Sequence, residues 1–182
     1  MLKNLLMVLS IGVVAGCFPA SVNGTIDGKS LSIVAGRALL TEGDLASIDV
    51  LLSEIPFDLK EAKAADHDGK SFFTLGAAPP GKGEFTVVNP LDQPDELPEN
   101  FGIANLVTLK DTECDGDAFN SESDIATADS GTITLATDPK LDEELSGTFE
   151  VKFGDDEVTG SFTIKVEKRE EDSLESNTKC LE

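Results

Sequence analysis

Apolar and polar residues alternate along much of the chain, and the alternation is clearest near its end. Between residues 149 and 153, phenylalanine and valine alternate with glutamate and lysine, and after the turn-forming residues 154–157 the pattern resumes from 162 to 166. A period of two places every second side chain on the same face of a strand. These two runs therefore predict an antiparallel hairpin with one buried face.

Short runs of β-branched and apolar residues, separated by Gly, Asp, Asn and Pro, extend this pattern over the rest of the chain. They predict strands at 21–27, 30–40, 46–53, 70–77, 83–89, 103–110, 130–137, 146–154 and 157–167. No alternation of strands with long helices is present, so the fold class is all-β. We expect an antiparallel β-sandwich or barrel of about eight to ten strands.

One segment favours a helix. Pro56 is followed by good helix formers at 57–65, and Asp66-His67-Asp68-Gly69 then supplies a stop signal. We expect one short helix near 56–65.

The first seventeen residues differ from the rest. Lys3 precedes an apolar stretch at 5–14, and the small residues Ala15 and Gly16 follow it. This is the order of a secretory signal peptide. A stretch of about ten apolar residues is too short for a retained membrane-spanning helix, which needs about twenty.

The tetrapeptide Val14-Ala15-Gly16-Cys17 resembles the lipobox of bacterial lipoproteins. The resemblance implies cleavage before Cys17, diacylglycerol on its sulfur, and attachment to a membrane through the lipid. Phe18 in the next position implies sorting to the outer membrane, with the domain facing the periplasm or the cell surface. The alternative is an ordinary signal peptide with an incidental cysteine.

This interpretation divides the chain into three parts. Residues 1–16 are the signal peptide, residues 17–21 are the lipidated cysteine and a short tether, and residues 22–182 form a single β domain with an acidic C-terminal tail.

The formal charge of −21 narrows the possible partners. A field of this sign repels nucleic acid and anionic head groups, so we predict no nucleic-acid binding. Acidic side chains on the solvent faces of strands and in turns explain the charge without a special function.

Two cysteines, Cys114 and Cys180, remain once Cys17 is assigned to lipid. Export to an oxidising compartment favours a disulfide between them, which would close the C-terminal tail onto a central loop. Free thiols and a metal site are the alternatives, but two distant cysteines and one histidine do not match zinc spacing.

The segment 111–122 partly matches the spacing of a twelve-residue calcium loop. Oxygen ligands recur at alternate positions around Gly116, and a glutamate stands at the twelfth position. The candidate ligands are Asp111, Glu113, Asp115, Asp117 and Glu122. The match is incomplete because position three is usually Asp or Asn and the flanks are predicted strands. A chance string in an acidic chain is the alternative, and no other cofactor is predicted.

Catalytic motifs are missing from the sequence. Its one histidine, His67, lies in an acidic turn, and neither Gly-x-Ser-x-Gly nor a phosphate-binding loop is present. Paired carboxylates for glycoside cleavage are an alternative in a chain this acidic, but Trp and Tyr, which usually stack against sugars in such sites, are both absent. We therefore predict that the protein is not an enzyme.

A second resemblance rests on the order of turn and strand motifs. These are Gly24 and Gly28, Ser130 to Thr132, Gly147 to Phe149, Gly160 to Phe162, and a terminal cysteine. Their order is similar to that of uncharacterised small β-rich envelope lipoproteins of Gram-negative bacteria. The resemblance implies a fold and a location but no activity.

The sequence thus predicts a membrane-anchored envelope lipoprotein with a protein-binding or structural role toward an envelope or surface protein. One alternative is a carrier of a small apolar ligand in a barrel cavity. A calcium-stabilised surface binding domain is the other.

Overall fold

The computed structural model describes residues 20–43, 46–57, 61–92, 97–115, 118–169 and 179–181. Within these residues it has twelve strands, one four-residue α-helix, α1 (Ala64–His67), and a turn of 3-10 helix at Pro90–Asp92. The strands are β1 Ala20–Gly24, β2 Ala35–Thr41, β3 Ser47–Ser53, β4 Glu61–Lys63, β5 Ser71–Ala78, β6 Gly83–Val88, β7 Phe101–Asp115, β8 Ala118–Thr127, β9 Ser130–Leu135, β10 Glu144–Phe153, β11 Asp156–Lys168 and β12 Lys179–Leu181.

Eight strands form a closed path in the order β2-β3-β5-β7-β6-β9-β10-β11, because β11 also pairs with β2. The all-β prediction is confirmed, and of the two predicted architectures the pairing is that of a barrel. The expectation of an all-antiparallel sheet is wrong, since β6 pairs with β7 and β11 pairs with β2 in parallel. No tight turn joins either pair, so their direction is set by packing around the barrel.

Alternating side chains of each barrel strand point inward and are buried. In β10 and β11 the inward residues include Leu145, Phe149, Val151, Phe162 and Ile164, all below 10 % exposed. The predicted hairpin is therefore confirmed, with the expected buried face. An eight-stranded barrel has an interior just wide enough for side chains to fill it.

Phenylalanine rings occupy the centre of this interior. The ring centroid of Phe73 lies 5.1 Å from that of Phe149 and 6.1 Å from that of Phe153. Phe73 is 0 % exposed and Phe85 on β6 is 2 % exposed. These large side chains form a packed core across opposite walls of the barrel.

Two glycines of the β10–β11 hairpin make room for the rings of Phe149 and Phe162. Gly147 lies opposite Phe162, and Gly160 lies opposite Phe149. A Cβ added at Gly160 would be 2.3 Å from Cζ of Phe149, and one added at Gly147 would be 2.5 Å from Cζ of Phe162. Each ring therefore covers the backbone of the glycine across from it, a device also used in designed sheets.

The β7–β8 hairpin extends beyond the barrel. Phe101–Thr108 of β7 pairs with β5, and β7 continues to Asp115 while pairing with β8 from Asn105 onward. We call residues 109–123 the arm. Near its tip β12 pairs in parallel with β4, and α1 packs against β7. The arm is thus attached to the barrel by β7 and braced by a two-stranded sheet.

Two sequence predictions are corrected here. The expectation of one short helix is confirmed, but its bounds near 56–65 are corrected, because Glu61–Lys63 forms β4 and the helix occupies Ala64–His67. Pairing with the distant strand β12 outweighs the local helix propensity of this segment. Strand β8 was not predicted, because its polar sequence lacks apolar alternation and it is ordered as a strand by pairing with β7.

Candidate binding surfaces

A shallow groove of about 580 Å³ lies on the outside of the barrel, across β3, β5 and β7. It follows from strand alternation, because the residues between the inward-facing ones point outward. Its lining residues are Ala46, Ser47, Asp49, Thr74, Gly76, Ala77, Ala78, Pro79, Phe101, Ile103, Asn105 and Arg169. We call this surface the groove.

The floor of the groove is low because its central position is a glycine. Gly76 lies between Asp49 on β3 and Ile103 on β7 in the strand register. A Cβ at Gly76 would lie 3.0 Å from Oδ1 of Asp49, so even an alanine would crowd the carboxylate. The neighbouring outward positions on β5, Thr74 and Ala78, are also small.

The two walls of the groove differ in polarity. Phe101 and Ile103 form an apolar wall on β7, and an ion pair stands on the opposite side. There Nη1 of Arg169 lies 3.3 Å from Oδ2 of Asp49, and the backbone N–H of Arg169 donates to the Leu40 carbonyl at 3.0 Å. This combination of apolar area with a few fixed polar groups is typical of binding sites.

Burial raises the pKa of Asp49 above its ordinary value, and the Arg169 guanidinium partly opposes the shift. The carboxylate is therefore more costly to keep ionised here than in water. A ligand that donates a hydrogen bond to Asp49 would offset that cost.

The opposite outer face, on β1, β11, β10, β9 and β6, is polar. It contains a shallow depression lined largely by hydroxyl-bearing and acidic side chains, among them Ser161, Thr148, Thr134, Glu84 and Glu150. These side chains are small or charged and face solvent. Phe149 and Gly160 supply the apolar part of the lining. We call this surface the hydroxyl face, and its character differs sharply from that of the groove.

The structure joins Cys114 and Cys180 in a disulfide, in agreement with the predicted pairing. The two cysteines are 66 residues apart in the chain and their Cα atoms are 5.6 Å apart. Cys180 is 4 % exposed. The bond ties β12 to the end of β7, and so links the C-terminal segment to the arm.

The candidate calcium ligands are not collected around one point. Asp111, Glu113 and Asp115 lie on β7, and Glu122 lies on β8 opposite Lys110. A β-bulge interrupts β7 between Lys110 and Glu113, and Asp111 within it has a φ of 48°. Residues 111–115 and 118–122 lie in two paired strands and do not form a continuous loop around one point.

Asp117, the remaining candidate ligand, lies outside the described residues. Within the described ranges, no group of three or more His, Cys, Asp or Glu side chains is arranged to hold a metal ion. The described acids of this segment are distributed over the paired strands β7 and β8.

The signal peptide at 1–16 and the lipidation site Cys17 lie outside the described residues, which begin at Ala20. Among the residues that are described, no helix is long and apolar enough to cross a bilayer.

Sequence reasoning missed the groove because its residues come from three strands and from Arg169, which follows β11. One local signal was available. Gly76 interrupts an apolar strand, and a glycine inside a strand often marks a close approach of another group.

Comparisons of the chain with protein-family models, with curated proteins and with solved structures give no match.

Proposed function

We propose that this protein is a cell-envelope lipoprotein, anchored to the outer membrane through lipid on Cys17, and that its barrel binds a partner protein in the groove. The anchoring part is supported by the sequence alone, through the apolar stretch at 5–14 and the lipobox-like Val14-Ala15-Gly16-Cys17. Two glycerol-linked acyl chains hold a protein firmly at a membrane.

The groove is the observation that supports binding. Phe101 and Ile103 offer apolar contact, Asp49 offers a hydrogen-bond acceptor, and Arg169 offers a donor within the same concave surface. A partner that inserts one apolar side chain and pairs one polar group with Asp49 or Arg169 would use all of these features. The size suits a few side chains of a peptide segment.

The carrier alternative receives less support. Inward side chains such as Phe73, Phe85 and Leu135 are 2 % exposed or less, and the rings of Phe73, Phe149 and Phe153 pack against one another. They occupy the space that an apolar ligand would need inside an eight-stranded barrel.

The groove is tested by photo-crosslinking in living cells. A photoreactive amino acid replaces Ser47, which lines the groove, and the crosslinked species are identified by mass spectrometry. We expect one recurrent partner protein. The substitution Thr74→Arg fills the groove and should abolish the crosslink, whereas Thr148→Arg on the hydroxyl face should leave it unchanged.

Melting curves of both arginine variants show whether each is folded. If no recurrent partner is found, or if both arginine variants behave alike while folded, partner binding in the groove is wrong.

The anchor is tested separately, with an alkyne-labelled fatty acid and membrane fractionation. Wild-type protein should take up the label and sediment with the outer membrane. Cys17→Ala should take up none and appear in the soluble fraction. Labelling that survives this substitution would contradict lipidation at Cys17.

A further inference from the structure

Strand β8 has an unpaired edge over the arm. Among the described residues its only strand partner is β7, although the neighbouring barrel strands are paired on both sides. Residues Ser121 to Ile125 are all exposed. An exposed strand edge is a template on which an extended segment of another protein can add a strand.

The hydrogen bonds of β7 identify which backbone groups of β8 are free. The Leu109 N–H donates to the Lys70 carbonyl, and the Leu109 carbonyl accepts from the Gly69 N–H, both at 2.9 Å. Both backbone groups of Leu109 are therefore bonded to residues 69–70 and not to β8. Its partner in the register, Ser123, must then point its own N–H and C=O away from β7. By the same alternation Ile125 also points its backbone groups outward.

The described part of the barrel leaves space for an added strand at this edge. Two residues separate the end of β8 from the start of β9, which pairs with β10. Strand β10, however, ends at Phe153. There the Gly154 N–H donates to Oδ2 of Asp129 at 2.6 Å, and the chain turns back into β11. A strand beside β8 would lie in line with β10, beyond this turn.

We propose that the free edge of β8 binds an extended segment of a partner protein in which lysine or arginine alternates with apolar residues. This inference rests on the proposed protein-binding function and assigns to it a second surface, distinct from the groove. Main-chain hydrogen bonds to Ser123 and Ile125 hold the segment, and side-chain chemistry selects it.

The negative charge of the arm is the reason for expecting basic residues in the partner segment. In the arm and the residue after it, Lys110 is the one basic residue, and it forms an ion pair with Asp124. The acids of this stretch are Asp111, Glu113, Asp115, Asp117, Glu122 and Asp124. Glu122 and Asp124 would face an antiparallel added strand at its non-hydrogen-bonded pairs, where side chains are closest.

The apolar residues of the partner segment would contact the other face of β8. Ile125 is 64 % exposed on β8, on the face opposite Glu122 and Asp124. An apolar side chain on the added strand would pack beside it. A second copy of this chain is disfavoured as the occupant, because it carries the same net charge of −21 and the same acids on its own β8 edge.

The test uses the full-length protein in nonionic detergent and three labelled synthetic peptides of about nine residues. In the first peptide lysine alternates with valine. In the second, glutamate replaces lysine. The third has the lysines of the first but proline in place of valine, so it has the charge without the ability to form a strand. Fluorescence anisotropy measures binding, and backbone hydrogen exchange locates it.

Two variants separate strand addition from simple charge attraction. Ser123→Pro removes an outward N–H without taking a hydrogen bond from the β7 ladder, whereas Ser123→Ala keeps that N–H. We expect the lysine–valine peptide to bind wild type and Ser123→Ala, to protect the amides of Ser123 and Ile125, and to lose binding to Ser123→Pro. Replacing Glu122 by Gln should weaken binding about threefold to fivefold.

Other outcomes overturn the proposal. They are equal binding of the proline-containing peptide, equal binding of the glutamate peptide, equal binding to the Pro and Ala variants, and binding without protection at Ser123. Repeating the Ser47 crosslinking experiment in the Ser123→Pro variant tests groove binding independently of strand addition at β8. If that crosslink persists while the peptide is lost, partner binding in the groove stands independently of the β8 edge.

Discussion

The two long hairpins of this protein have the same secondary structure but are stabilised differently. The β10–β11 hairpin pairs with β9 on one side and with β1 and β2 on the other, and its inward residues are buried in the core. The β7–β8 hairpin joins the barrel only at its base, where Asn105–Thr108 of β7 pairs with both β5 and the end of β8. The exposed residues of its arm are largely polar or acidic. Burial stabilises the first hairpin, whereas strand pairing and a disulfide stabilise the second.

This difference indicates which of the two hairpins can bind a partner through its backbone. Strands paired on both edges have no backbone groups left for a partner, so they contribute shape and stability. Among the described residues, the arm has a free strand edge and few buried contacts, so it can change sequence or bind a strand without unfolding the barrel.

The largest effect is expected from Phe149→Ala in β10. This side chain is 4 % exposed and packs against Phe73, so its loss leaves a cavity and should lower the free energy of unfolding by about 3–5 kcal/mol. Urea denaturation followed by circular dichroism measures the change. The adjacent outward residue provides the control, because Glu150→Ala should have little effect. Similar losses in both variants would mean that burial does not distinguish the two faces of β10.

Replacing Cys114 and Cys180 together by serine should have the next largest effect, about 2–4 kcal/mol. The disulfide closes a loop across 66 residues, and its removal frees β12 from the arm. Hydrogen exchange should increase in residues 111–115 and 118–122 much more than in β10 and β11. Uniform loss of protection over both hairpins would show that the arm and barrel unfold as one unit.

Gly160→Ala should lower stability by about 1–3 kcal/mol, because the new methyl group would overlap the Phe149 ring and the Ser21 carbonyl. Thermal unfolding compares it with Gly81→Ala, where no atom lies within 4 Å of an added Cβ and the change should be small. Equal melting temperatures for the two alanine variants would contradict the close ring-over-glycine packing.

The smallest effect is expected from Ile125→Thr on the arm, within about 0.5 kcal/mol of wild type. Ile125 is 64 % exposed, so little apolar burial is lost. Val151→Thr is the matched change in β10, where the side chain is 0 % exposed, and the buried hydroxyl should cost about 1–3 kcal/mol. A large effect at Ile125 would indicate that something already covers the β8 edge.

The sequence by itself determined the fold class and the positions of all eight barrel strands, because alternation of buried and exposed residues is a local property. Each of the nine predicted strands overlaps a strand of the structure, and the Cys114–Cys180 pair also followed from the sequence. The signal peptide and Cys17 rest on the sequence alone.

The tertiary structure decided what depends on distant partners. Glu61–Lys63 became a strand because β12 pairs with it, and the polar segment 118–127 became a strand because β7 pairs with it. The parallel pairing of β2 with β11 closed the barrel between strands far apart in the chain. Such contacts are set by packing and loop closure across the whole chain, so no local pattern encodes them. Only Gly76 gave a local signal of the groove, and the sequence held none of the free edge of β8.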